Sequence, residues 1–353
     1  MSQLTQLKAL LNKILDPDQS DEQKDHYTEQ LVALWTSACN IDFTRDKTTS
    51  PADDHQNPIL SPEQASQCAY GYRRTWRYIN ALHKAIQQVQ DRKQQAGEDG
   101  TVSIFYPGCG PYAILALPLM ALYQADKIRV SILDYHNHSI QSVRQLCDSF
   151  ALHDRVDAFI TANALDYDFP EHQQPDIIIS EIMQAGLSQE GHVEINRHFH
   201  LQAPDATLIP QKITLSLRLC NPRYEFGLQH EKERATHRMS LGTVFTFDKA
   251  NTSLLMPDFT KTKDHPETTL NCLPGHKITL PEHPSPDYQL FLFTELALFD
   301  DEYLYPYENG VTTPVLYHLE EHYQPGDQIQ FSYQMGAQPG LIPRKTNRER
   351  YLS

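Results

Sequence analysis

Glu181 and Glu190 stand nine residues apart, on either side of a loop of small and polar residues. The run before them, Asp176-Ile-Ile-Ile-Ser180, reads as a short buried strand. Two carboxylates bracketing a loop at the carboxyl end of a central strand suggest a pocket for a cation. Each acid alone has a plainer explanation, as a strand-end acid in solvent or as a complement to the dipole of the helix expected over 190–201. A second constellation lies upstream. Gly108 and Gly110 (with Cys109 between them) follow a strand expected over 102–106, and Asp134 closes the next strand, 24 residues after Gly110. A glycine turn lets a ligand approach the backbone, and a helix starting after it, expected over 112–123, supplies free N–H groups. An acid at the end of the second strand accepts hydrogen bonds from ribose hydroxyls. The pair implies an adenosine-containing cofactor.

These residues need elements to position them. Apolar residues at helical spacing cover 4–15 and 27–38, and 42–58 is a polar, proline-containing loop. Ser61-Pro62-Glu63 is a helix start, and helical periodicity runs on to about Lys93. A polar linker follows over 94–100. Strands at 102–106, 128–133, 156–161 and 177–180 then alternate with helices at 112–123, 139–150 and 190–201, the pattern of a parallel α/β sheet. After Pro204 the segments 206–220, 243–248, 288–299, 312–319 and 327–335 alternate between apolar and polar residues among many turn residues. They read as an antiparallel β domain.

The 353 residues suffice for two domains, with 40% hydrophobic residues to fill their cores. No apolar run reaches the roughly 20 residues of a membrane span, and the first residues lack the features of a signal peptide, so a cytoplasmic protein without a membrane partner is expected. The six cysteines are scattered without a Cys-x-x-Cys pair, and the 17 histidines show no His-Glu-x-x-His pattern. Neither a metal site nor a disulfide framework is indicated. The formal charge of −15 argues against a nucleic-acid partner and is compatible with a cationic substrate or with solubility alone.

The dinucleotide fingerprint would place a third glycine where Ala113 stands. Pro107-Gly108-Cys109-Gly110-Pro111 resembles instead the first motif of class I S-adenosylmethionine-dependent methyltransferases, with Tyr106 where that family carries an acid. Within that class, Ser180-Glu181-Ile182-Met183 with Glu190 resembles the double-glutamate loop of the arginine N-methyltransferase family. Arg74-Thr75 with Tyr78 resembles its cofactor-clasping helix, and 203–210 resembles the passage into its β-barrel. The resemblance covers about residues 60–215. It implies an α/β Rossmann-like methyltransferase domain with N-terminal helices and a C-terminal antiparallel β-barrel-like domain. The divisions are a helical region over 1–60, the clasping helix and S-adenosylmethionine-binding domain over 61–205, and a β-rich substrate or dimerisation domain over 206–353. It implies that Arg74, Gly108, Cys109, Gly110, Asp134, Tyr135, Asn163, Ala164 and Glu181 hold the cofactor, S-adenosyl-L-methionine. Glu181 and Glu190 become catalytic, and Glu181, Met183, Glu190 and His318 contact the substrate. Trp76 and Tyr78 are read as packing, with Tyr78 next to the cofactor. The stretch 221–258 reads as a dimerisation arm, giving a homodimer, or as a surface loop.

The chemistry of a guanidinium explains two acids. It is protonated near neutral pH, and two carboxylates orient its plane and draw charge toward the gripped nitrogens. The family's Thr-His-Trp loop is absent; the nearest stretch, 308–318, offers Thr312, Thr313 and His318. Gly71 stands where the family has an acid. These departures favour free arginine or a related small guanidino compound over protein arginine, with the N-terminal region capping the smaller pocket. Two other readings stay open: another S-adenosylmethionine-dependent transfer or cyclisation, and a binding module that keeps the fold.

Overall fold

The computed structural model describes residues 2–43, 59–98, 100–227, 230–255, 271–282, 285–319 and 323–346. Most of the expected loop at 42–58 and the end of the stretch 221–258 lie outside them. The chain divides into two compact units. The first is Met1–Ile182, Glu194–Gln211 and Ala297–Leu304, and the second is Met183–Val193, Lys212–Leu296 and Tyr305–Ser353.

In the first unit, α1 (Gln3–Leu15) starts at the Ser2 cap and buries Leu7, Leu10, Leu11 and Ile14, one helical stripe. Helix α2 (Asp21–Ser37) starts at a capping box in which Ser20 and Gln23 satisfy each other's backbone N–H groups. Ser61 and Gln64 repeat the device at α3 (Pro62–Gln67). The single helix expected from Pro62 onward is interrupted: a 3-10 turn over Cys68–Tyr70 leads to Gly71, at φ −78° and ψ 69°, and α4 (Tyr72–Ala96) starts anew. Gly71 has the weakest hold on helical backbone after proline, and the capped α3 is too short to carry the helix through it. Ion pairs tie α2 to α4. Arg73 donates to Asp25 at 2.6 Å and to Asp21 at 3.0 Å, and the Trp76 indole donates to Asp25 at 2.7 Å. Trp76 is thus a packing residue, as expected.

The strands β1 (Val102–Pro107), β2 (Ile128–Asp134), β3 (Val156–Thr161), β4 (Ile177–Ile179) and β5 (Thr207–Ile209) form one parallel sheet in the order β3-β2-β1-β4-β5. Helix α5 (Asn137–Phe150) connects β2 to β3, and α6 (His192–Gln202) precedes β5. Phe105, Ile178, Phe199 and Leu208 meet in a core cluster on this sheet. The strand order reverses between β1 and β4. Two expectations change here. Residues 112–123 form turns and a 3-10 segment at Leu117–Leu122 rather than an α-helix. Pro118 lacks an N–H and clashes with the preceding helical turn, and Ala113 sits at φ 42°. Thr207–Ile209, read as part of the antiparallel domain, pairs parallel with β4. Its residues are buried on both faces, which erases the alternation that separates the two strand types.

The second unit begins with β6 (Lys212–Cys220), followed by α7 (Pro222–Glu225), α8 (Glu231–Thr236) and β7 (Arg238–Asp248), which pairs antiparallel with β6. The strand β8 (Cys272–Thr279) belongs to a separate three-stranded sheet. The strand β9 (Gln289–Phe299) joins β6 on the side opposite β7, and its last residues, with β10 (Glu302–Leu304), count with the first unit. The expected strand at 312–319 shrinks to β11 (Val315–Leu316) after a 3-10 turn at Gly310–Thr312. Finally β12 (Gln328–Gln334) lies between β8 and β13 (Gly340–Lys345). The chain is therefore an α/β parallel-sheet protein with N-terminal helices and C-terminal antiparallel sheets.

Candidate active site

Three elements of the first unit converge where β1 and β4 diverge. In an open parallel sheet, the carboxyl ends of strands at such a reversal leave a crevice for ligands. From α4 come Arg74 and, four residues on, Tyr78; from β1 comes Tyr106; from the residues after β4 comes Glu181. The exit of β4 is held firmly. The Ser180 N–H donates to the Ile209 carbonyl at 3.0 Å, and its hydroxyl donates to Asn196 Oδ1 at 2.8 Å.

Arg74 and Glu181 form an ion pair with side chains only 4% and 6% exposed. Arg74 Nη1 donates to Glu181 and Nη2 to the Cys68 carbonyl. The same Cys68 carbonyl also accepts the Gly71 N–H at 3.2 Å, at the end of the 3-10 turn. Burial pushes the Glu181 carboxyl above its ordinary value, with Arg74 pulling against it. Burial opposes the charge on Arg74 most strongly, but Glu181 together with Cys68, Tyr106 and Tyr78 holds the guanidinium above its ordinary value. Burial holds both phenols well above their usual range. Glu181 adds to the effect at Tyr78, and Cys109 adds to it at Tyr106. Arg74 Nε and the Tyr78 hydroxyl are buried without a hydrogen-bond partner.

The glycine turn lies at the end of β1. Gly108 has φ 63°, and a Cβ there would stand 2.6 Å from the Ile182 side chain, so the turn passes beneath Ile182 only as glycine. Gly110 has φ 62°, and its N–H donates to Asp134 at 2.9 Å. The other Asp134 oxygen accepts the His136 N–H at 2.9 Å. Asp134 is a brace for the turn, 6% exposed, its carboxyl raised by burial and lowered by these two N–H groups. Asp134 Oδ2 also accepts the Cys109 thiol at 4.0 Å. The helix N-terminus expected after this turn is missing, and the N-terminal helices secure it instead. Trp35 of α2 donates to the Tyr112 carbonyl at 2.9 Å, and His136 Nε2 reaches the Leu60 carbonyl, just before the α3 cap, at 3.0 Å.

The remaining residues divide. The Ala162 N–H donates to the Asp134 carbonyl at 3.1 Å, which brings the end of β3 to this edge. Asn163 caps the 3-10 turn after it by accepting the Leu165 N–H, and Ala164 packs into the core. Tyr135 is 38% exposed beside His136. Met183, Glu190 and His318 belong to the second unit. There Met183 and Glu190 are buried, and Glu190 takes φ 64°. The loop between them is fastened within the unit. The Gly186 N–H donates to Thr294 at 2.8 Å, and the Tyr333 hydroxyl donates to the Leu187 carbonyl at 2.8 Å. His318 is exposed, at a cavity of about 350 Å³ lined also by Leu219, Leu290 and Tyr317. The sequence offered nothing for the Cys68 carbonyl, and it marked Tyr106 only as part of the glycine-turn motif, not as a site residue. The signal for Tyr106 was its place, as a large polar residue at the end of a buried strand directly before the glycine turn.

Strand order and site together define an α/β protein whose strand order reverses between β1 and β4, with a buried Arg74–Glu181 pair at that point. No protein-family model and no curated protein matches the chain. Solved structures that align with it include the Trypanosoma brucei PRMT1 enzyme–prozyme heterotetrameric complex with AdoHcy. It is 14% identical with a TM-score of 0.44, over 77% of this chain and 93% of that one. Another is Arabidopsis thaliana protein arginine methyltransferase 10 in an open conformation. It is 11% identical with a TM-score of 0.41, over 72% of this chain and 84% of that one. Likeness this loose bears no weight for activity.

Proposed function

We propose that the chain is an S-adenosylmethionine-dependent N-methyltransferase acting on a guanidino group, with free arginine or a related small molecule preferred to protein arginine. The observation that carries this reading is the buried Arg74–Glu181 pair after β4, next to the glycine turn of β1, with an Arg74 Nε–H left over. The residues suit the cofactor at both ends. The unused donor of Arg74 meets a carboxylate, Asp134 meets ribose hydroxyls, and Asn163 and Ala164 flank the adenine side. When bound, S-adenosylmethionine supplies a methyl group activated by a sulfonium.

The chain's part is to hold and orient the acceptor. In this proposal Glu181 and Glu190 grip one guanidinium, as ionised carboxylates, and leave its third nitrogen toward the methyl group. Positioning and electrostatics supply most of the rate. Burial raises the Glu181 carboxyl, so the competent ionised form gains population as pH rises. The proton released after transfer goes to Glu190 or to water. Met183 and His318 are proposed substrate contacts, and Tyr135 a contact on the ribose side. The preference for a small substrate rests on the missing Thr-His-Trp loop.

The test incubates the full chain with S-adenosylmethionine and, separately, free arginine, a glycine/arginine-rich peptide and no acceptor. Mass spectrometry is expected to find methyl groups on free arginine. Methylation of the peptide alone would reverse the preference, and a product without acceptor would make the cofactor itself the substrate. Glu181→Gln is expected to abolish turnover; unchanged turnover would remove the role given to Glu181.

A further inference from the structure

Arg74 and Tyr78 lie four residues apart on α4 and therefore on one face of it. Arg74 is 3% and Tyr78 0% exposed. Two Arg74 nitrogens are used, on Glu181 and on the Cys68 carbonyl. The third, Nε, and the Tyr78 hydroxyl are enclosed with no partner. A guanidinium N–H can only donate, and burial keeps the Tyr78 phenol protonated, so the hydroxyl is a donor as well. A buried donor left unmade costs about 1–3 kcal/mol, and apolar packing alone would be served by phenylalanine. Two unmade donors one helical turn apart, beside the acceptor Glu181, match a group carrying an anion and a cation together. A lone anion would meet the Glu181 carboxylate, and a lone cation would meet Arg74.

We propose that Tyr78 is a specificity-determining residue: its hydroxyl, with the Arg74 Nε–H, seats the carboxylate of a ligand's amino-acid end while Glu181 faces the ammonium. The inference rests on the S-adenosylmethionine reading and adds to it a second carboxylate donor. Discrimination for the amino-acid end then depends on a phenol as well as on the arginine.

The experiment is calorimetric titration of the full chain, wild type and Tyr78→Phe, with S-adenosylhomocysteine and with 5′-methylthioadenosine, which keeps the nucleoside and lacks the amino-acid end. Tyr78→Phe is expected to weaken S-adenosylhomocysteine about 10–100-fold, the loss of one hydrogen bond to a charged group, and to leave methylthioadenosine unchanged. Equal weakening of both ligands would reduce Tyr78 to packing and overturn the proposal. An unchanged ratio would overturn it too. If the wild type binds neither compound, the adenosyl reading falls and the proposal falls with it; if it binds both, only the role of Tyr78 is at stake.

Discussion

At the scale of the residue, the Arg74–Glu181 pair sets the terms. Two opposite charges this deeply buried hold each other at the cost of their hydration, so removing one strands the other. Arg74→Ala should destabilise the protein by about 3–5 kcal/mol. Arg74→Met combined with Glu181→Leu should recover most of that, because no charge is left without its partner. Thermal unfolding of the two variants checks both outcomes, and recovery no better than the single variant would deny that the charges compensate each other. The sequence made both residues visible, Glu181 by its place after a buried strand and Arg74 by resemblance. It did not show that they touch, because their contact spans 107 positions. Tyr78 and Tyr106 were visible as residues but not by what their hydroxyls do: a tyrosine in an apolar pattern reads as packing until the surroundings of its hydroxyl are known.

At the scale of the element, alternation and periodicity located the strands of the parallel sheet well, and β3 matches its expected span of 156–161. They failed at 112–123. Residues 113–121 are buried throughout, so they have no solvent-facing side to give a helical stripe, and Pro118 closes the helical option. The glycine turn was legible, and its support was not: side chains from α2 and the β2 end replace the helix that the spacing predicted. Gly108→Ala tests how much the turn depends on its covering. It should lower stability and abolish binding of adenosyl compounds, since φ 63° and the 2.6 Å approach to Ile182 both oppose a Cβ. Adding Ile182→Ala should relieve the collision but not the backbone strain, giving partial recovery of thermal stability. Full recovery would leave the positive φ without a cost.

At the scale of the whole molecule, one buried group ties stability to acidity. His192 is 1% exposed, and burial lowers its pKa from 6.5 to about 3. Between those values the unfolded chain binds the extra proton and the folded chain does not. The contribution of neutral His192 is therefore fully present above about pH 6.5 and is lost as pH falls toward 3, at about 1.4 kcal/mol per pH unit. Melting temperatures of wild type and His192→Gln measured from pH 7 to 4 should converge as pH falls; parallel curves would mean that another group carries the acid sensitivity. The order of the chain through its two units has a consequence of its own. The first unit is assembled from three separate stretches, and the last, Ala297–Leu304, follows most of the second unit in sequence. That stretch brings Glu302, which accepts from Arg77 at 3.3 Å and from Lys84 at 2.7 Å on α4. A growing chain on the ribosome thus cannot complete its first unit until residue 304 has emerged. Truncation at residue 211, a tempting boundary for expressing the parallel-sheet half alone, would leave α4 without the carboxylate that Arg77 and Lys84 share.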